Sequence, residues 1–125
     1  MKLIATAAAL MASTASADLA GYVPLTIEAP HHGRDMLGAL WYPADAGGRA
    51  LTFAENGVFY GVEVVEEARI AEGQFPVVVL SHGMGGNIRS LAWLAAGLAE
   101  RGAIVVSMNH PNSTWGDFDL AAGLQ

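Results

Sequence analysis

The sequence predicts an α/β fold: an antiparallel pair of N-terminal strands followed by a right-handed βαβ unit. Three observations predict it. Val77, Val78, Val79 and Leu80 form a continuous apolar run, the pattern of a strand covered on both faces in a parallel sheet. Ile88, Leu91, Ala92, Ala95, Leu98 and Ala99 then recur at helical spacing, and Gly102 stands where a helix C-cap glycine belongs. Residues 103–108 are a second buried apolar run, and strand–helix–strand over about 30 residues closes right-handed with its strands parallel.

The first residues stand apart from this domain. Met1-Lys2 gives a short positive start, residues 3–11 are continuously apolar, and Ala15-Ser16-Ala17 fits a small-x-small cleavage site. The apolar run is too short to span a bilayer, which takes about 20 residues. Residues 1–17 therefore read as a signal peptide and 18–125 as the exported chain, periplasmic or extracellular, with no stable membrane span after cleavage. An alanine-rich amphipathic helix is the poorer account, because no polar face recurs at helical spacing.

Without Lys2, five basic side chains face twelve acidic ones, a formal charge of −7. Such a chain offers no surface to track phosphates, so nucleic acid is not an expected partner. Cysteine is absent, and stability must come from packing rather than disulfides.

In residues 22–28, Val23, Leu25 and Ile27 alternate with polar or turn residues, which predicts a half-buried strand. Residues 36–42 predict a second, and the composition of 30–35 between them is that of a hairpin loop. Pro43 is expected to end the second strand, since it cannot donate to a ladder. Residues 45–49 are loop. Residues 51–74 carry a turn signal at Asn56-Gly57 and otherwise read as a connection with one short edge strand.

Chemistry in an open α/β sheet collects beyond the carboxyl ends of the strands. Ser81-His82-Gly83-Met84-Gly85-Gly86 holds that position after the first buried strand. Glycines let the backbone turn sharply there, and the helix start behind them directs free N–H groups at developing negative charge. Acyl transfer needs such donors; one is worth about 3–4 kcal/mol.

Residues 75–115 resemble the corresponding segment of bacterial α/β hydrolases akin to dienelactone hydrolase and platelet-activating-factor acetylhydrolase. The resemblance rests on Ser81-His82-Gly83, the helical segment 91–101, the strand 102–108 and Asn109-His110-Pro111. Trp41-Tyr42-Pro43-Ala44 is similar to a strand end near the N-terminus of those proteins. The resemblance implies that the Met84 N–H is an oxyanion-hole donor and that His82 and Gly83 shape its loop. It also implies a second donor just after a nucleophilic serine, and a triad in the order Ser, acid, His. None of Ser81, Ser90, Ser107 or Ser113 has the glycines of the Gly-x-Ser-x-Gly elbow, and no histidine follows Asp117 or Asp119.

The expectation is therefore the N-terminal portion of an exported serine-type ester hydrolase, with its nucleophile outside residues 1–125 and this portion inactive alone. The resemblance implies small esters, lactones or short-acyl lipids as substrates and no cofactor. In that family's usual strand order, the neighbour that would shelter residues 77–80 is the strand leading into the elbow. That strand is missing here, so 77–80 should form an apolar edge, a site of self-association.

A complete, non-catalytic binding protein is the contrasting reading. A dinucleotide site at Gly83-x-Gly85-Gly86 is a third, weakened by Ile88 at the sixth motif position and by a following strand that ends without a ribose-binding acid. A Ser81–His82 base pair is disfavoured because strand neighbours point to opposite faces. His31, His32 and His110 read as loop histidines rather than metal ligands. Trp93 and Trp115 read as packing residues, and Asn112-Ser113-Thr114 matches a glycosylation sequon.

Overall fold

The computed structural model describes residues 17–118. Most of the expected signal peptide, and Asp119, lie outside the described residues. The strands of the main sheet are β1 (Ala20–Ile27), β2 (Met36–Pro43), β3 (Arg49–Phe53), β4 (Val62–Glu66), β5 (Val77–Ser81) and β6 (Ile104–Met108). Helix α1 (Ala92–Glu100) joins β5 to β6, and a small pair, β7 (Ser113–Thr114) and β8 (Asp117–Phe118), follows. The sheet order is β3-β4-β1-β2-β6-β5.

The N-terminal hairpin forms as expected. β1 and β2 pair antiparallel from Ala20↔Pro43 to Ile27↔Met36, around a loop that contains one 3-10 turn, Pro30–His32. Pro24 lies within β1, yet β4 pairs only with Ala20, Gly21 and Tyr22. Beyond Tyr22 that side of β1 is an edge, where a missing N–H costs no ladder bond.

Residues 51–74 differ from expectation. They contribute to two strands, and β4 is interior, lying between β3 and β1. Val64 at its centre is fully buried, while Glu63 and Glu66 make polar edges: Thr52 Oγ1 donates to Glu63 at 2.6 Å, and Arg49 pairs with Glu66. The reach from β3 to β4 turns on Asn56, whose side-chain oxygen accepts from the N–H groups of Val58 and Phe59. Glu63 on the solvent side, and Glu66 half-buried at the strand end on the Val64 face, conceal the buried face of β4 from a pattern reading.

The βαβ unit is present, with β5 and β6 parallel in the register Val77↔Ile104 to Ser81↔Met108. Its helix starts later than the periodicity suggests: Ile88 and Leu91 sit in a turn before Ala92. At its other end Gly102 takes φ +92°, the Gly102 N–H donates to Ala99 O, and the Ala103 N–H donates to Leu98 O. That pair of bonds is a Schellman cap. Ala92, Ala95, Ala96 and Ala99 form the buried stripe of α1. Four methyl groups let the helix approach the sheet closely, over Trp41, Tyr22, Phe53, Val64 and Val105. The Tyr22, Trp41 and Phe53 rings meet at 4.7–5.2 Å between centroids, and the Trp41 indole N–H donates to Ser107 Oγ at 3.2 Å.

β5 forms the apolar edge expected of residues 77–80 and is therefore not covered on both faces. It is the outermost strand, and Val77 and Val79 are 64% and 63% exposed. Val78 and Leu80, on the alternate face, pack against the α1-side core. The apolar run is explained by a second face that nothing among the described residues covers. The fold is a mixed six-stranded α/β sheet, with antiparallel first strands and a βαβ unit.

Candidate active site

The turn after β5 and the turn after β6 rise together from the carboxyl ends of two parallel strands, and four side chains tie them. His82 is buried. Its Nδ1 lies 2.8 Å from Gly83 O, so Nδ1 carries the proton, and Nε2 accepts from the His110 N–H at 3.1 Å. The Thr114 hydroxyl, 3.1 Å from the same Nε2, donates to His110 O at 2.7 Å. His82 thus braces the 109–114 segment against the glycine turn. Its neighbour Ser81 points elsewhere, its Oγ 2.7 Å from His110 Nε2.

The glycine turn is shaped by close approach. Gly85 takes φ +76°, a region that L side chains rarely adopt. A Cβ on Gly86 would meet His82 Cβ at 2.9 Å and Gly83 O at 3.0 Å. The Gly85 N–H donates to Ser113 O and the Gly86 N–H to Gly83 O. Among the described residues no acceptor meets the N–H of Gly83 or Met84. These two donors remain available in the turn, and the Met84 side chain is exposed.

The entry to α1 is held by polar side chains rather than by a helix cap. Asn109, just after β6, accepts from the Ile88 N–H at 2.7 Å. Ser90 Oγ accepts from the Asn87 N–H, and Asn87 Oδ1 accepts from the Arg89 N–H. Ile88 is buried and Asn109 is committed to this bond, which leaves neither the third motif glycine nor the acid that a dinucleotide needs.

His110 is half-buried and its pKa is lowered, first by burial and then by the His82 and His32 imidazoles. It borders a cleft of about 340 Å³ that also holds Arg34, Leu37, Trp115 and Asp117. Asp117 is paired with Arg34. His31 and His32 share the exposed turn between β1 and β2, their rings 4.2 Å apart. A second cleft, of about 390 Å³, lies between the β3–β4 connection and the start of α1, lined by Phe59, Tyr60, Arg89 and Trp93 among others. Trp93 and Trp115 are 66% and 78% exposed. They are not the packing residues their size suggests, because α1 buries its alanines instead and Trp115 sits in the turn between β7 and β8.

No protein-family model matches the chain, and no curated protein matches it. Among solved structures it is similar to a ferulic acid esterase from Streptomyces cinnamoneus, with a TM-score of 0.62 and 25% identity. The match covers 84% of this chain and 36% of the esterase chain, so this chain spans about a third of that protein's length. An ester-hydrolase-like fold is what this likeness supports. It does not single out dienelactone hydrolase.

Ser81–His110 is the pairing that sequence reasoning missed. Twenty-nine residues separate the two. The one signal available was that both stand at the ends of strands expected to lie parallel.

Proposed function

We propose that residues 18–125 are the N-terminal portion of an exported, serine-type α/β hydrolase that cleaves carboxylic esters. The observation that carries this reading is the glycine turn at the carboxyl end of β5, braced by His82, with its Met84 N–H unpaired. In this reading Met84 N–H receives the oxyanion, His82 and Gly83 hold the loop, and an elbow serine beyond residue 125 attacks the carbonyl. The ferulic acid esterase likeness and the open β5 edge both support it. Small esters, lactones or short-acyl lipids are the substrates, periplasmic or extracellular space is the location, and no cofactor takes part. The resemblance to dienelactone hydrolase-like proteins supplies that range.

The reading frame beyond codon 125 tests this proposal. A Gly-x-Ser-x-Gly segment followed by an acid and a histidine is expected; an extended frame without them would sink it. Where that longer polypeptide is assayed, Met84→Pro removes the donor and should lower kcat by about 10²–10³-fold.

The exposed β5 edge also carries a proposal about residues 18–125 in isolation. With Val77 and Val79 uncovered, they associate through that edge. A non-catalytic binding protein is the second reading, and one observation favours it: the aromatic-lined cleft at Phe59, Tyr60 and Trp93. No helix of the described residues is long and apolar enough to cross a membrane.

A further inference from the structure

The register of β5 on β6 sets Ser81 beside Met108, and two residues later the chain brings His110 over the serine hydroxyl. The 2.7 Å separation of Oγ and Nε2 is the reach a nucleophile needs to its base. A base must also be unprotonated to accept. Burial and the facing His82 and His32 rings favour the neutral imidazole of His110. The adjoining cleft carries the Arg34–Asp117 pair and the Asp35 carboxylate as the charged groups that line it beside this histidine. Ser81 itself is exposed, and the unpaired N–H groups of Gly83 and Met84 follow it by two and three residues. Ser81 meets an acyl donor from its exposed side, and a cleft of about 340 Å³ lined by His110 but not by Ser81 lies next to the pair.

We propose that Ser81 and His110 form a nucleophile–base pair that takes an acyl group from small carboxylic esters. Ser81 Oγ bonds to the ester carbonyl carbon while its proton passes to His110 Nε2. The tetrahedral adduct then collapses, the acyl–oxygen bond breaks, and the alcohol leaves with that proton. Acyl-Ser81 remains. Water repeats the sequence: its proton goes to Nε2, the carboxylic acid is released, and Ser81 recovers its hydrogen. This activity is independent of any elbow serine.

Among the described residues nothing hydrogen-bonds to His110 Nδ1. In a serine triad, disabling the carboxylate that holds the base costs about 10⁴ in kcat. The pair should therefore acylate once and release slowly, giving a burst rather than sustained turnover.

The test mixes the full chain with p-nitrophenyl acetate and maps the acetylated peptide by mass spectrometry, natively and in guanidinium chloride. A near-stoichiometric burst with the label on Ser81, present natively and absent in denaturant, is expected. Ser81→Ala should abolish it and His110→Gln should slow it by about 10²-fold or more, the usual worth of a general base. The acylation rate should fall on acidification with a midpoint below pH 6.5. Label confined to another residue, no native label, or an undiminished rate in His110→Gln would overturn the pair. None of these outcomes touches the elbow-serine reading, which stands or falls on the reading frame.

Discussion

The two faces of the sheet are built from the same residue types and have opposite fates. On one face Trp41, Val64 and Val105 are fully buried under the alanine stripe of α1. On the other, Val77 and Val79 stand more than half exposed at the edge strand. Alternation places Val78 on the covered side and its neighbours on the open one. Apolar character therefore reports which surfaces need cover: α1 supplies it on one face, while on the other Tyr42 is buried with its hydroxyl on Ala68 O and the β5 edge stays open.

The largest contrast comes from the covered face. Trp41→Ala should cost about 3–5 kcal/mol in denaturant titrations, since it empties a fully buried site and leaves Ser107 without its donor. A loss below about 1 kcal/mol would mean that this face is not the core. Gly86→Ala comes next, at about 1–3 kcal/mol, because the new methyl meets His82 Cβ within 3 Å. Its thermal transition should drop, and if it does not, the brace between the two turns is not tight.

Acid should loosen the same end of the sheet. His110 has a folded pKa below its ordinary 6.5, so the unfolded chain binds more protons between those two values. The contribution of neutral His110 is complete above pH 6.5 and is lost as pH falls from 6.5 through the folded pKa. Stability curves of wild type and His110→Gln at descending pH measure it; curves that fall in parallel would remove His110 from the account.

On the open face Val79→Lys should change stability by no more than about 0.5 kcal/mol. It should nevertheless reduce self-association in sedimentation velocity, as a charge on an exposed strand edge does. An unchanged sedimentation profile would show that the β5 edge is not the contact. Together with Trp41→Ala, this variant separates burial from hydrophobicity as the origin of stability.

Much of the framework was legible in local pattern. Alternation at Val23, Leu25 and Ile27 marked β1, and the loop at 30–35 marked the hairpin. Gly102 marked the end of α1. Local pattern failed where a residue's cover comes from far along the chain. β4 hid behind Glu63, which faces solvent, and Glu66, which is half-buried on the same face as Val64 and paired with Arg49. Trp93 and Trp115 looked like core residues, yet the helix presents alanines inward and the β7–β8 turn holds Trp115 outside.

The turn 81–86 shows the same division. Its glycines and its place after an apolar strand are properties of consecutive residues, so the sequence alone marked it as the candidate. Which groups meet there depends on strands separated by a helix. Only the parallel register of β5 and β6 sets His110 against Ser81 and turns His82 into the pin between two loops. Hydrogen bonds act over about 3 Å, and folding alone brings residues 29 positions apart within that distance.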